Sequence, residues 1–377
     1  MALNCGIVGL PNVGKSTIFS ALTSAPAETA NYPFCTINPN VGIAQVPDSR
    51  LDKLSGIFKP QRTVPATVEF VDIAGLVKGA SQGEGLGNQF LAHIREVGVI
   101  AQVVRCFDNP NILHVQNRID PESDMDVINI ELALADLETL ARRRERAERA
   151  LKGQAKTGQK TSEDLLAALA KVEALLEQGK PARSASLTGD ERNALRDCHF
   201  ITLKPQLYVC NVDEQGLKEN PYCTRVQRRA EAEGSAAVVI CGKFEAELAG
   251  IGDTAEQSAF LGELGLEESS LGPLVRAAYA LLGLRTFFTA GADECRAWTI
   301  RAGDTAPKAG GVIHSDFEKG FIKAAVYSFQ DILACGSEAK IKEAGKYRIE
   351  GREYRVQDGD VLYFFRQNSA AKPPAEG

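Results

Sequence analysis

Apolar runs alternate with glycine-rich turns and helical spacing along the first part of the chain. The run Leu3 to Val8 is followed by a loop and the helical stretch Ser16 to Thr23, then by the apolar runs Thr67 to Val71 and Gly98 to Phe107. Short apolar strands separated by helical segments predict an α/β fold with a mostly parallel sheet. Leu207 to Asn211 and Ala236 to Ile240, separated by a helical stretch around Thr224 to Glu233, read as later strands of the same sheet. Between these two groups the period changes. From Asp126 to Lys152 apolar residues recur every three and four positions (Ile130, Leu134, Leu137, Ala141), and Ser162 to Gln178 repeats the pattern. That spacing predicts two amphipathic helices in an antiparallel hairpin. The first, of some 25 residues, would reach roughly 35–40 Å at the rise of an α-helix, more than a compact core needs, so it is expected to project as an arm.

From Leu284 the pattern turns to short strands: Thr286 to Thr289, Ala297 to Arg301, Ile322 to Ser328, Tyr347 to Val356 around a Glu-Gly turn, and Val361 to Phe365. Helices are expected at Ala306 to Ile313, where Thr305 can cap and Pro307 sits in the first turn, and at Phe329 to Ala334. The expected organisation is therefore an α/β domain over 1–125 and 200–282, a helical hairpin over 126–199, a small α+β domain over 283–368, and a disordered Ala/Pro/Ser-rich tail over 369–377.

Composition narrows the function. With 377 residues, 44% hydrophobic and 24% charged, the chain is multidomain and globular, not disordered or fibrous. Nine scattered cysteines with no C-x-x-C pair suggest neither a disulfide framework nor a zinc ribbon and fit a reducing compartment. The start shows no basic n-region or cleavage site, and no long apolar stretch occurs, so a cytoplasmic protein without membrane spans is expected. A net charge of −6 confines any nucleic-acid contact to a local patch. Arg142 to Lys160 is such a patch, with eight Lys/Arg against two Glu, although a solvated helix face explains it equally well.

The strongest chemical signal is Gly9-Leu10-Pro11-Asn12-Val13-Gly14-Lys15-Ser16, a complete G-x-x-x-x-G-K-S between an apolar strand and a helix. Such a loop cradles phosphates with its backbone N–H groups and the helix N-terminus. Here Asn12, Val13, Gly14, Lys15, Ser16 and Thr17 are the expected contacts, with Lys15 reaching the β and γ oxygens and Ser16 ligating Mg²⁺. Asp72-Ile73-Ala74-Gly75 ends a strand as a D-x-x-G does, which gives Asp72 a water-mediated role at Mg²⁺ and Gly75 a γ-phosphate contact. Thr36, in Asn31-Tyr32-Pro33-Phe34-Cys35-Thr36, is the switch residue expected to complete the Mg²⁺ shell.

After Gly75, Ras-like enzymes place a Gln that orients the attacking water, and here Leu76 stands, whose aliphatic side chain cannot bond water. His114, in the polar segment Asn109 to Asp120, and His93, in the helical run Gln89 to Val97, are equal candidates for that work. The base-reading element should follow a later strand. Asn211-Val212-Asp213-Glu214 stands where a GTPase has N-K-x-D, and the longer Glu214 spoils a bidentate guanine contact, so guanine specificity is not expected.

These residues, with N-Y-P-F-x-T at Asn31, D-I-A-G-L-V-K-G-A at Asp72 and H-S-D-F-E-K-G-F at His314, resemble the YchF/Obg-like ATPase family over nearly the whole chain. The last motif resembles the TGS domain, a β-grasp module. The resemblance implies a Mg²⁺-dependent nucleotidase that accepts ATP, with GTP a further substrate to be tested, and a ribosome partner, the large subunit foremost, with rRNA contacts through the arm and the TGS-like domain. It also implies that His114 activates water, beside Lys15 as the other catalytic residue. Asn211, Val212 through its backbone, and Glu214 are implied to hold the base. Cys241-Gly242-Lys243 departs from the Ser-Ala-Lys of GTPases. A true GTPase switch, and a nucleotide-gated binding module with incidental hydrolysis, are the alternatives.

Overall fold

In a computed structural model, the structure describes residues 3–24, 40–73, 86–112, 118–153, 156–263 and 265–367. The strands are β1 (Asn4–Gly9), β2 (Val41–Gln45), β3 (Arg62–Val64), β4 (Thr67–Asp72), β5 (Val99–Arg105), β6 (Gln206–Asn211), β7 (Ala236–Ile240), β8 (Leu284–Ala290), β9 (Glu294–Arg301), β10 (Phe321–Ser328), β11 (Arg348–Glu350) and β12 (Asp360–Arg366). The helices are α1 (Lys15–Ser24), α2 (Ser49–Phe58), α3 (Leu86–Glu96), α4 (Pro121–Gly153), α5 (Lys156–Leu176), α6 (Gly189–Ala194), α7 (Pro221–Ala232), α8 (Gly242–Ala249), α9 (Thr254–Glu263), α10 (Leu271–Leu281), α11 (Ala306–Ile313), α12 (Ser315–Lys319), α13 (Phe329–Cys335) and α14 (Glu338–Glu343). No helix among the described residues is long and apolar enough to cross a membrane. Two compact units result, one of Met1–Ala44 and Glu69–Leu282, the other of Gln45–Val68 and Gly283–Gly377.

The first unit is built on a sheet of order β2-β4-β1-β5-β6-β7, in which β1 pairs in parallel with both β4 and β5, and β6 with both β5 and β7. Every residue of β5 and of β6 is buried, which accounts for their unbroken apolar character. Because β1 lies between β4 and β5, the chain departs to either side of it, and the crevice at the carboxyl ends of these strands is where such sheets bind ligands.

The helical insertion is longer than the periodicity indicates. α4 has 33 residues and starts at Pro121, before the expected boundary at 126, and Met125 is buried in the core cluster with Val104, Tyr208 and Cys210. Further along, Ala133 and Leu140 share a core with Ala168, Leu169, Val172 and Leu176 of α5. Between the two, the buried Asp136 carboxylate accepts hydrogen bonds from Ile201 N (2.9 Å), Thr202 N (2.7 Å) and Thr202 Oγ1 (2.7 Å), which anchors the helix to the segment before β6. Burial raises the Asp136 pKa, and these three donors oppose that rise.

The second unit corrects one expected boundary. Residues 45–68, expected in the P-loop domain, fold instead with the C-terminal part: β3 pairs in parallel with β9 in a sheet of order β11-β10-β12-β8-β9-β3. Arg50 of α2 forks onto Asp48, reaches Asp358 at 2.7 Å and lies over the Phe288 ring at 5.3 Å from its centroid. Backbone bonds from Gln61 N to Ala292 O and from Arg62 N to Asp293 O complete the attachment. The expected strands around 347–356 are also reduced. Only β11 forms, because Tyr354 O accepts from Ala306 N (2.8 Å) and Val356 N donates to Asp304 O (3.0 Å), so this backbone is committed to the start of α11 instead of a partner strand.

Candidate nucleotide site

The loop between β1 and α1 closes tightly because two positions carry no side chain. A Cβ at Gly9 would stand 2.9 Å from Val13 Cγ2 and 3.1 Å from Val103 O. Gly14 has φ 91°, and a Cβ there would stand 2.2 Å from Asn211 Nδ2. Asn12, at φ 64°, takes the left-handed conformation that Asn tolerates better than most residues. The space left by Gly14 is used by Asn211 at the end of β6. Its Nδ2 donates to Val13 O (2.8 Å), and its Oδ1 accepts from Gly242 N (2.9 Å). Asn211 therefore braces the phosphate loop against the loop that follows β7.

Lys15, Ser16 and Thr17 open α1, with Ser16 and Thr17 exposed. The Lys15 ammonium pairs with the Asp72 carboxylate at the end of β4, their side chains 13% and 23% exposed. Asp72 N donates to Asn40 O at 2.8 Å, and Ile73 N to Ile7 O at 3.1 Å, so the strand end is held beside β1. The adjacent parallel strands thus bring together the cation, the carboxylate and the helix N-terminus expected from the motifs. A hydroxyl and a carboxylate are hard oxygen donors, the set that suits Mg²⁺.

Thr36, Gly75, Leu76 and His114 lie outside the described residues. His93 lies in the last turn of α3, exposed, next to the buried Ile94. Arg105, inside the expected strand Gly98 to Phe107, is 1% exposed and organises the segment leading toward 114. Its guanidinium donates to Phe107 O (3.2 Å), Asn109 O (3.1 Å) and Ile112 O (3.0 Å) and lies over the Phe107 ring. Burial lowers its pKa. A charged residue ending an apolar strand was the signal available in the sequence.

At the base end, the Val212 side chain is 3% exposed and packs in the core, so it does not lie along a base. Its N–H donates to Ile240 O at 2.8 Å, which leaves its carbonyl as the backbone group able to face a ligand. Glu214 is exposed and accepts from Lys243 Nζ at 3.1 Å, and this contact raises the Lys243 pKa. Cys241-Gly242-Lys243 therefore has two structural tasks: Gly242 holds Asn211, and Lys243 holds Glu214.

Part of the basic stretch on α4 is committed internally. Arg144 pairs with Glu173 of α5, Arg149 with Glu145, and Arg143 donates to Asp197 O. Arg142 and Arg146, one turn apart, are exposed.

Comparison with known proteins adds three findings. Residues 4–140 match the family described as "50S ribosome-binding GTPase", and residues 284–368 match the C-terminal domain of YchF-GTPases, described as a protein of unknown function. The chain is 53% identical to the ribosome-binding ATPase YchF of Haemophilus influenzae (97% of this chain, 99% of that one) and 50% identical to that of Bacillus subtilis over the same shares. Among solved structures, the YchF GTPase of Schizosaccharomyces pombe superposes with a TM-score of 0.86 at 36% identity, covering 96% of this chain and 97% of that one.

Proposed function

The chain belongs to the YchF family of P-loop nucleotidases, and on that premise we propose that it hydrolyses ATP to ADP and phosphate as a ribosome-associated switch. The observation that carries this reading is the meeting of Lys15 and Asp72 at the carboxyl ends of neighbouring strands, beside the opening turn of α1. The backbone N–H groups of residues 12–17 take the phosphates, and Lys15 takes the β and γ oxygens. Ser16, Asp72 through water, and Thr36 would hold Mg²⁺, which when bound neutralises charge on the phosphates. His114 positions the water that attacks the γ-phosphorus as the bond to the bridging oxygen breaks and ADP departs. Guanine holds no advantage over adenine, because Val212 is turned into the core and Glu214 is drawn toward Lys243.

Ribosome association is proposed from the named activity of the relatives, with the large subunit as the expected target. Arg142 and Arg146 supply the exposed charge on the hairpin for contact with rRNA. Phosphate release from Mg²⁺-ATP by the full chain tests the hydrolytic reading. Lys15→Ala is expected to abolish release and to weaken nucleotide binding, and unchanged turnover in that variant would overturn the assignment.

A further inference from the structure

Behind the strand that carries Asn211, three cysteines from three elements converge. Cys106 follows β5, Cys210 lies in β6 and Cys223 in the first turn of α7, and their sulfur atoms all lie within 4.8 Å of one another. They are 0%, 0% and 4% exposed. We propose that Cys106, Cys210 and Cys223 form a buried three-thiolate site for a divalent thiophilic metal ion of the zinc and cadmium class.

Three observations support the site. The first is geometry: at a metal–sulfur distance of about 2.3 Å, three sulfurs around one ion stand about 4 Å apart, so closing the observed triangle requires a shift of less than about 1 Å. The second is that the backbone already holds the ligands in place. Asn220 Nδ2 donates to Cys106 O (2.8 Å) while its Oδ1 accepts from Cys223 N (3.3 Å), and Cys106 N donates to Asn211 O (2.8 Å). Cys210 is fixed by its register opposite Val104 on one side and Val239 on the other. One asparagine thus clamps two of the three ligand-bearing segments.

The third is charge. Among the described residues, Cys106 and Cys210 are acted on by the other thiols and by burial, and Tyr222 couples to Cys106. With no cation to offset them, three thiolates carry −3. A monovalent ion would leave −2 in an apolar cluster and a divalent ion −1, so the divalent ion is favoured. Each thiol that ligates gives up its proton, so uptake of the ion acidifies the solution. Cys223 is two residues from the exposed Pro221 that opens α7, which makes the start of α7 the entry route. The site also lies one backbone hydrogen bond from the Asn211 brace.

The test uses the full chain, reduced with a phosphine and titrated with Cd²⁺, reading the ultraviolet sulfur-to-cadmium charge-transfer band and the metal retained after gel filtration. One equivalent should bind with a three-thiolate intensity and should displace Zn²⁺ bound beforehand. The Cys210→Ala/Cys223→Ala double variant should lose affinity at least tenfold, whereas Cys295→Ser, which removes a buried cysteine of the other unit, should bind as wild type. Should the double variant fail to fold, Cys223→Ser, which preserves size, gives the same reading through loss of about a third of the band. Equal binding by wild type and the Cys210→Ala/Cys223→Ala or Cys223→Ser variant, or no retained metal, would overturn the site. Retention of Cu⁺ but not Cd²⁺ would overturn the divalent assignment.

Discussion

Asn211→Ala isolates the brace on which the phosphate loop depends. Asn211 is 5% exposed and spends one donor on Val13 O and one acceptor on Gly242 N, at 2.8 and 2.9 Å. Alanine removes both partners at once, and an unsatisfied buried polar group costs about 1–3 kcal/mol. Because the loop retains some access to water, a total near the lower half of the sum is expected, about 2–4 kcal/mol. Part of that loss falls on global stability and part on the loop's fit to phosphate. A tenfold to hundredfold drop in ATP affinity corresponds to about 1.4–2.8 kcal/mol and is the expected share. Asn211→Asp separates the two arms, since it keeps the acceptor for Gly242 N but sets a carboxylate against Val13 O and near the phosphates. It should lose more affinity than alanine and, with a buried charge facing a carbonyl oxygen, unfold at a lower denaturant concentration. The assay is titration with a fluorescent ATP analogue alongside urea unfolding of each variant. Asn211→Ala affinity within twofold of wild type would refute the brace.

Two further outcomes are expected. His114→Ala should lower turnover by about one to two orders of magnitude with ATP affinity nearly intact, and His93→Ala, on the exposed face of α3, should do less; the reverse order in phosphate-release assays would move the water-positioning role to α3. Reversing Arg142 and Arg146 to Glu should weaken ribosome co-sedimentation and flatten its salt dependence without changing ATP affinity, and an unchanged salt midpoint would make the pair a solvated face.

What the sequence revealed about this molecule was local. Gly9 to Ser16 could be read because the phosphate loop's requirements fall within eight consecutive residues, and β5 and β6 because burial on both faces demands unbroken apolar runs. The membership of residues 45–68 was not legible. β3 is three residues long, and its partner β9 is more than two hundred positions away, so nothing in Arg62-Thr63-Val64 announces the pairing. Val212 and Glu214 were read as departures from a guanine-reading element. Their actual environments, the core cluster and Lys243, depend on how α8 follows β7. Arg105 and the three converging cysteines were missed for the same reason. Their roles arise from neighbours brought together by β5, β6 and α7, and their spacing along the chain forms no motif.

The nucleotide site serves adenine at least as well as guanine. Calorimetric titration of the full chain with Mg²⁺-ATP and Mg²⁺-GTP under one buffer tests it most directly. The arrangement of Val212, Glu214 and Lys243 predicts ATP bound as tightly as GTP or more so. GTP bound tenfold more tightly, a difference of about 1.4 kcal/mol, would contradict it.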